Sequence, residues 1–300
     1  GQLAMLPQRL GGGAHDALSD AAHRIALLGR ALNSVSPLAT LDRGYAIVLC
    51  DTREDTAVEI RSLQILEDRD VDGLVVFPVG QSGEHLRRYE NGRLPVVVAD
   101  RCFPDLRLPY VVSDNCGGAR QAVDYLASRG HRTIACVGGM PGTLPGKERI
   151  RGYRDAMERN NLRIDDSLVV GNGFSEESGY ESMAALIGKR PDVTAVWAAG
   201  SLVAMGILRA LAEADLAVPD DVSVVCFDDP AWADFLRTPL TAVAQDNAAM
   251  GRAAVALLLD GPGAGGDAAP ERVVLPVTLI ERDSVAAPRT GSRERIPGGA

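Results

Sequence analysis

Residues 111–139 read VVSDNCGGARQAVDYLASRGHRTIACVGG, and this stretch decides the fold. It begins with a short apolar run and continues with a stripe of small and apolar residues at the spacing of one helix face. The members of the stripe are Ala119, Ala122, Val123 and Leu126. A second apolar run, Thr133–Gly138, follows. Nearly continuous apolar runs are typical of strands that are buried on both faces of a parallel sheet. The stretch therefore predicts a strand–helix–strand unit.

From residue 45 onward, the alternation of short β-branched runs with helical patterns continues along the chain. The predicted strands are Ala46–Cys50, Gly73–Phe77, Pro95–Ala99, Thr133–Gly138, Ala195–Ala198 and Val222–Phe227. Two further helical stripes begin at Leu202 and Met250. Strand–helix alternation over about two hundred residues predicts an α/β architecture with more than one open sheet.

Composition and charge exclude several classes of function. The 300 residues contain 40 acidic and 31 basic side chains, which leave a net charge of −9. Nucleic-acid binding through the overall charge is excluded, because contacts to phosphate need clustered Lys and Arg. No apolar run reaches the ~18 residues of a membrane span, and the first residues lack the apolar core of a signal peptide. We therefore expect a cytoplasmic protein that binds no membrane.

Cysteine and histidine usage argues against metal sites and disulfides. The five cysteines and four histidines are scattered, without a CxxC pair or a spacing such as HExxH. We expect reduced, buried thiols and no metal. The glycine-rich segment GGMPG (138–142) lacks the spacing of a phosphate-binding loop, so no cofactor is expected either.

The sequence has no recognisable catalytic motif, but polar residues follow several predicted strands in a pattern typical of ligand binding. The chain has no GxSxG or SxxK motif, so an enzyme is not expected. Polar pairs instead follow predicted strands, at the carboxyl ends where open α/β sheets bind ligands. The pairs are Asp100–Arg101, Asp114–Asn115 and Asp228–Asp229. Acids and amides hydrogen-bond sugar hydroxyls, and Trp232 or Phe77 can cover a sugar ring. Taken singly, each polar residue is also a typical helix cap or turn former.

Six motifs recur in order between about residue 44 and residue 283. They are VDGLVVFP (71–78), VVVADR (96–101), the stretch 111–139 quoted above, ERIRGYRDAM (148–157), VPDDVSVVCFDDPAW (218–232) and PLTAVAQDNAAMGRAAVALLL (239–259). Together they resemble the effector-binding region of the lactose/galactose-repressor (LacI/GalR) family of transcription regulators. The resemblance implies two Rossmann-like lobes of the periplasmic-binding-protein type, with a sugar or related metabolite in the cleft between them. It also implies a homodimer in which effector binding changes lobe closure and thereby DNA binding.

The resemblance implies domain boundaries as well. The N-terminal lobe is expected at 45–113 plus about 247–274, and the C-terminal lobe at 114–246 plus about 275–283. Residues 261–269 are predicted to form a flexible loop, and residues 284–300 a disordered tail, because they have no apolar period. The family's helix-turn-helix and the first strand and helix of its first lobe should precede RGYAIVLC (43–50), where none is recognisable. DNA contact is therefore expected only through a helix-turn-helix that this chain does not contain.

Carried over position by position, the resemblance assigns ligand binding to seven residues. They are Phe77, Asp100, Arg101, Lys147, Asp228, Trp232 and Gln245. Lys147 stands five residues before the glycine of an RxxGY-like motif, where an arginine is expected, and a lysine lacks the bidentate fork. Ala199-Gly200-Ser201 replaces an Ala-Asn-Asp sequence, which removes an amide from the cleft. Arg149 and Arg151 remain as basic residues near this motif, and the simpler interpretation places them on a solvated helix face.

The first 44 residues differ in kind from the rest. Leu18, Ile25 and Leu32 repeat every seven residues, which is compatible with an amphipathic helix, a short coiled-coil seam or a helix-turn-helix. The segment LLGRALNSVSPLATLDRGYAIV (27–48) resembles the C-terminal part of the exonuclease VII large subunit. This second resemblance gives one alternative function, an exonuclease VII fragment fused to a sensor domain. The other alternative is a transport-type sugar-binding protein.

Overall fold

The computed structural model describes residues 47–103, 105–260 and 271–289. The helices are α1 (Thr56–Glu67), α2 (Asn115–Ser128), α3 (Leu144–Arg159), α4 (Glu176–Lys189), α5 (Ser201–Glu213) and α6 (Asn247–Asp260). The strands are β1 (Leu74–Val76), β2 (Val96–Ala99), β3 (Tyr110–Ser113), β4 (Ile134–Val137), β5 (Val169–Val170), β6 (Ala195–Ala198), β7 (Ser223–Phe227), β8 (Thr241–Gln245), β9 (Arg272–Leu275) and β10 (Val277–Ile280). Short 3₁₀ helices cover Glu84–Tyr89, Asp166–Leu168 and Ala233–Phe235. Strands and helices thus alternate, as predicted.

These elements fall into two compact units. The first holds the described residues up to Ser113 together with those of Asp246–Leu275. The second holds Asp114–Gln245 and the described residues from Pro276 onward. Each unit has a sheet of its own, so the chain passes from one unit to the other more than once.

The sheet of the first unit has four parallel strands in the order β1-β2-β3-β9 within the described ranges. Helix α6 packs against this sheet, with Met250 and Ala254 in one core cluster with Val97 and Val111. Helix α1 begins after Asp55, whose carboxylate accepts a hydrogen bond from the Ala57 N–H at 2.7 Å. An acid at this position stabilises the start of a helix by satisfying its free N–H groups.

The predicted strand Ala46–Cys50 is wrong for residues 47–50, the part of it that the structure describes. These residues belong to no strand, and Ile47, Val48 and Leu49 are exposed. A strand forms only where a neighbour pairs with its backbone N–H and C=O groups. No strand of the described residues pairs with this segment, so the segment forms no strand despite its apolar pattern.

The second unit is built on a six-stranded sheet in the order β10-β8-β7-β6-β4-β5. Its strands are parallel except for β10, which runs antiparallel to β8. Every residue of β4, β6 and β7 is buried, because helices cover both faces. Trp197 packs in a core cluster with α2 and α3, whereas its neighbour Val196 packs with α4 and α5. The α/β fold with more than one open sheet is confirmed.

Glycines set the spacing of the helix pairs in the second unit. A Cβ atom on Gly152 of α3 would lie 2.2 Å from the carbonyl oxygen of Cys116, in α2. A Cβ atom on Gly179 of α4 would lie 2.2 Å from the carbonyl oxygen of Val203, in α5. Both distances are far below van der Waals contact. The backbones of each pair therefore approach as closely as they do only because these two residues have no side chain.

The predicted disordered tail at 284–300 is wrong for residues 284–289. Ser284 and Val285 are buried, and the Ser284 Oγ donates to the Val224 carbonyl at 2.6 Å while it accepts from the Thr241 N–H at 2.8 Å. The Val224 N–H donates to the Ser284 carbonyl at 3.0 Å. The segment is held by hydrogen bonds of its backbone and of the Ser284 hydroxyl. Such bonds need no periodic apolar side chains, so the sequence shows no apolar period here. Residues 290–300, the loop at 261–269 and the predicted helix in 1–44 lie outside the described residues.

Three structural observations bear on the classes of function considered above. No helix in the described ranges has an apolar stretch long enough to cross a lipid bilayer. Within the same ranges, no group of three or more His, Cys, Asp and Glu side chains is arranged to hold a metal ion. Four of the cysteines are buried free thiols, whereas Cys50 is exposed, in contrast to the expectation of buried thiols. Cys50 lies in the segment 47–50, with which no strand of the described residues pairs.

His131 couples the C-terminal segment to the sheet of the second unit. Its ring is 1% exposed, with Nδ1 2.9 Å from Thr194 Oγ1 and Nε2 2.9 Å from the Ala286 carbonyl. Burial lowers the pKa of this imidazole below its ordinary value of 6.5. In the unfolded chain His131 takes up a proton near pH 6.5, but in the folded chain it stays neutral until the pH is lower. Unfolding therefore binds a proton in this range.

We expect the free energy of unfolding to decrease as the pH is lowered through 6.5. The contribution of His131 is at most about 1.4 kcal/mol per pH unit, and it levels off below the folded pKa. Urea unfolding of the wild type and of His131→Gln, measured between about pH 7.5 and pH 5, checks this, because the variant should lose this part of the pH dependence. An identical pH dependence in both proteins would contradict the assignment to His131.

Candidate ligand-binding site

The carboxyl ends of β4, β6 and β7 lie along one edge of the second unit's sheet, because these strands are parallel neighbours. The turns that follow them contain Gly139 after β4, Gly200 after β6 and Asp228 after β7. Open α/β sheets bind their ligands at this edge. Side chains that reach it are therefore the candidates for ligand binding.

Arg149 of α3 is the buried cation at this edge. It is 4% exposed, and it donates from Nε to Asn115 Oδ1 at 2.8 Å and from Nη1 to the Ala199 carbonyl at 2.6 Å. Its guanidinium carbon lies 3.6 Å from the ring centre of Phe227 and 5.7 Å from that of Phe174. Aromatic rings attract a guanidinium over their faces, and planar donors hold it in one orientation. Arg149 is therefore preorganised.

The interpretation of Arg149 as part of a solvated helix face is wrong, although it holds for Arg151, whose side chain is 61% exposed. Residues three apart share a helix face, so Arg149 lies on the same side of α3 as Gly152, which touches α2. Because α3 packs closely against α2 at this glycine, the side chain of Arg149 is buried. Lys147, for which the ligand role was predicted, is exposed at the start of the same helix.

Asp228 and Gln245, both predicted as ligand residues, are brought together. Asp228 adopts a left-handed backbone conformation with φ of 69°, and its N–H donates to the Val243 carbonyl at 2.9 Å. Such a conformation is uncommon for residues other than glycine, and Asp and Asn adopt it more readily than other side chains. Gln245 Nε2 donates to Asp228 Oδ1. Gln245 Oε1 is buried and accepts no hydrogen bond from any described residue, so it can accept one from a ligand hydroxyl.

Asp229 has a structural role, in contrast to its neighbour Asp228. Its two carboxylate oxygens accept hydrogen bonds from Arg282 at 2.8 and 3.2 Å. Arg282 also donates to the Leu240 carbonyl at 2.9 Å. This bidentate pair connects the loop after β7 to the segment after β10 and directs Asp229 away from ligand binding.

Phe174 is a candidate that the sequence reasoning missed. It lies in the loop between β5 and α4, and its ring packs against Gly139, where a Cβ atom would lie 2.0 Å from Phe174 Cε1. The ring therefore lies directly at the carboxyl end of β4, beside Arg149. Nothing in the local pattern pointed to it, because its neighbours in the chain are polar and glycine residues. Only the fold places this aromatic ring at the sheet edge.

The remaining predicted residue of the second unit is Trp232, which lies at the start of the 3₁₀ helix after β7. Its side chain is half-buried and packs against the core cluster formed with α4 and α5. The described contacts thus give Trp232 a packing role, and its role as ligand lining stays a prediction.

Three predicted residues belong to the first unit. Asp100 follows β2 in the left-handed conformation, with φ of 63°, and its N–H donates to the Val111 carbonyl at 2.9 Å. This geometry repeats that of Asp228 in the second unit. Arg101 forms a bidentate ion pair with Glu54, at 2.7 and 3.2 Å. Phe77 follows β1, is half-buried and packs against the core of its own unit.

The groups at the edge of the second sheet suit recognition of hydroxyl groups. A carboxylate, a carboxamide acceptor and a guanidinium together offer both acceptors and donors to a polyhydroxylated ligand, and Phe174 offers an apolar face. The buried thiol nearest to Asp228 is that of Cys226, and burial raises its pKa well above its ordinary value of 9.0. A thiol in that state does not act as a nucleophile.

The chain is similar to a protein family and to curated transcription regulators. A family model described as "Periplasmic binding protein-like domain" matches residues 123–285. The HTH-type transcriptional regulator CelR of Thermobifida fusca is 34% identical over 249 residues, which cover 82% of this chain and 73% of CelR. The ribose operon repressor of Escherichia coli (strain K12) is 33% identical over 221 residues, which cover 73% of this chain and 66% of the repressor.

Solved structures are similar over most of the chain. A complex of transcriptional regulator CelR with cellobiose is 31% identical, with a TM-score of 0.75, and the match covers 86% of this chain and 79% of that one. A LacI family transcriptional regulator from Enterococcus faecium with bound ribose is 26% identical, with a TM-score of 0.73, and the match covers 88% of this chain and 95% of that one. Both of these structures contain a bound sugar.

Proposed function

We propose that the chain, which belongs to the LacI family of transcriptional regulators and carries its periplasmic binding protein-like domain, senses a sugar through Arg149, Asp228 and Gln245. The observation that carries this proposal is the buried guanidinium of Arg149, held by Asn115 and stacked on Phe227 at the carboxyl edge of the second sheet. Burying a cation costs free energy, and here that cost is offset by fixed partners that hold the cation at the edge where such sheets bind ligands.

The chemistry of the edge supports a sugar as the ligand class. Asp228 and the buried Gln245 Oε1 accept hydrogen bonds from hydroxyl groups, and Arg149 donates to them. The CelR structure with cellobiose and the Enterococcus faecium structure with ribose extend the argument, because both of these similar proteins have sugars bound. Asp100, Arg101, Phe77, Lys147 and Trp232 stay predicted ligand residues; for Arg101, binding would compete with its ion pair to Glu54.

We further propose the regulatory setting in which the sugar is sensed. In this setting the two units serve as the two predicted lobes, 45–113 with about 247–274 and 114–246 with about 275–283. The protein acts as a homodimer in the cytoplasm, and sugar binding alters its affinity for DNA. The names of the curated relatives, a regulator and an operon repressor, support this setting. They are regulators rather than enzymes, and we propose no reaction.

A thermal-shift assay with the purified chain tests the proposal. Ribose, glucose and cellobiose are added separately at increasing concentration, with a sugar alcohol such as mannitol as the matched control. A ligand at 100 times its dissociation constant stabilises the folded state by about 2.7 kcal/mol, which raises the melting temperature by several degrees. A saturable rise with at least one sugar is the expected result. No rise with any of these sugars or with a wider panel of sugar phosphates and nucleosides would overturn the proposal.

Asp228→Ala is expected to weaken sugar binding by about 1–3 kcal/mol, because it leaves ligand hydroxyls without their acceptor. Asp229→Ala is the matched control, since it removes the adjacent carboxylate, whose partner is Arg282. The control should lower the melting temperature of the free protein but leave the sugar affinity unchanged. Isothermal titration of both variants measures the two effects, and an unchanged affinity in Asp228→Ala would remove Asp228 from the site.

A further inference from the structure

Glu59 of α1 is a buried carboxylate of the first unit, to which the site described above gives no role. It is 2% exposed. Its Oε2 accepts a hydrogen bond from the Val79 N–H at 2.7 Å, and its Oε1 lies 2.5 Å from His85 Nε2. Val79 belongs to residues 77–83, which we call the β1 loop, and His85 to the 3₁₀ helix that follows. One side chain of α1 thus holds two segments that come after β1.

Close backbone contacts hold the β1 loop at two further points. Gly80 has a left-handed φ of 79°, and a Cβ atom there would lie 2.8 Å from Thr56 Oγ1, at the start of α1. A Cβ atom on Gly83, which is buried, would lie 2.5 Å from Phe103 Cδ2. Both distances are shorter than van der Waals contact, so the loop backbone lies directly against α1 and against Phe103. The β1 loop is therefore a packed segment with one position.

The contribution of Glu59 is directional. Burial of a carboxylate costs free energy, and apolar residues of similar volume often stabilise a protein equally well at such a position. A buried backbone N–H, in contrast, requires an acceptor in a defined direction. The carboxylate supplies this acceptor to Val79, and its second oxygen is oriented by His85. Glu59 thus determines where the β1 loop runs.

The β1 loop begins at the edge where the first unit is expected to bind ligand. Strands β1 and β2 are parallel neighbours, so their carboxyl ends share one edge of the sheet. Phe77, a predicted ligand residue, directly follows β1 and is separated from Val79 only by Pro78, which is buried. A proline ring fixes its own φ and restricts the backbone of the residue before it. The connection from the Val79 N–H to Phe77 is therefore short and stiff.

We propose that Glu59 is a positioning residue for sugar binding, which acts through Val79 and Pro78 on Phe77 at the ligand edge of the first unit. This inference rests on the proposed function and on the predicted role of Phe77. An aromatic ring that is already in its binding position loses little freedom when a ligand arrives, and affinity increases accordingly. Glu59 acts on the ligand only through this connection, since its own side chain is buried.

The test uses isothermal titration with ribose, glucose and cellobiose as probes, and the affinities are compared for the sugar that gives the largest thermal shift. Glu59→Ala should weaken binding about tenfold, because the β1 loop loses its fixed position. Glu59→Gln keeps an oxygen acceptor for the Val79 N–H and should stay within about threefold of the wild type. Glu67→Ala is the matched control. It removes a carboxylate of the same helix whose described hydrogen bonds go to Arg88 and Tyr89 of the 3₁₀ helix, and it should change affinity less than about twofold.

Two further variants test the route of the effect. In a Phe77→Ala background, Glu59→Ala should weaken binding by less than about twofold more, because the ring through which it acts is absent. Gly80→Ala shifts the β1 loop while the carboxylate stays in place, since its methyl group would lie 2.8 Å from Thr56 Oγ1. It should also weaken binding about tenfold. Gly80→Ala decides the question if Glu59→Ala does not fold.

The outcomes separate this inference from the proposed function. Unchanged affinity in folded Glu59→Ala overturns the inference, as does unchanged affinity in Gly80→Ala. Losses in Glu59→Gln or Glu67→Ala as large as that in Glu59→Ala overturn it too, and so does a full effect of Glu59→Ala in the Phe77→Ala background. All of these results leave the sugar sensor intact, because the wild type still binds. Absence of binding of any sugar by the wild type overturns the proposed function and the inference with it.

Discussion

Replacing Arg149 with alanine is expected to weaken sugar binding by about 2–5 kcal/mol, a loss of about thirtyfold or more. The guanidinium is held by Asn115 and the Ala199 carbonyl and lies 3.6 Å from the ring centre of Phe227. Its removal deletes the donor offered to the ligand and leaves Asn115 Oδ1 without this hydrogen bond. Isothermal titration with the sugar that gives the largest thermal shift measures the loss.

Arg151→Ala is the matched control for this prediction. Arg151 lies on the same helix, two residues further on, and its exposed side chain pairs with Glu148 at 3.0 Å. Exposed ion pairs contribute at most about 1 kcal/mol, so this variant should keep both its affinity and its stability. Arg149→Lys should recover little of the affinity, because an ammonium cannot reproduce the planar set of donors. Equal losses in Arg149→Ala and Arg151→Ala would show that Arg149 has no special role.

Gly179→Ala is expected to lower the free energy of unfolding by about 1–3 kcal/mol or more. The added methyl group would lie 2.2 Å from the Val203 carbonyl oxygen, so α4 and α5 must move apart. This movement disrupts the core cluster that both helices form with β6 and β7, which includes Met183 and Ile207. Urea unfolding gives the change in free energy, with an unchanged slope if the variant still unfolds in one step.

Gly188→Ala on the same helix separates this clash from the general effect of glycine. No described atom lies within 4 Å of a Cβ atom at Gly188. Alanine there should be neutral or should stabilise the protein by up to about 1 kcal/mol, because it favours the helix more than glycine does. Similar effects of the two substitutions would mean that close approach of α4 and α5 does not limit stability.

The order of strands and helices was predictable because the relevant signals are local. A buried parallel strand such as β6 has a continuous apolar run, and helix α2 has apolar residues at three- and four-residue spacing. The same local reasoning failed at residues 47–50 and 284–289. The first segment has an apolar pattern but no pairing partner among the described residues, and the second lacks a pattern but is paired with β7 and β8.

The candidate site was predictable only in part. Asp228 and Gln245 follow recognisable strands and match motifs of the resembling family, so both were assigned by position. Arg149 was misread, because the sequence of α3 does not reveal which of its charged residues is buried. That choice depends on Gly152, whose contact partner Cys116 lies 36 residues before it, and on Phe227, which lies 78 residues after Arg149.

By itself, the sequence determined the α/β class, the positions of most elements and the family, since each of these depends on periodicity or on motifs that are continuous in the chain. The tertiary structure alone decided which cation is buried, which aromatic ring accompanies it and which glycines are required by packing. Arg149, Phe174 and Asp228 belong to different elements, and their relation arises only when parallel strands bring their carboxyl ends to one edge. Burial and contact are properties of residues distant in the chain, which no local pattern records.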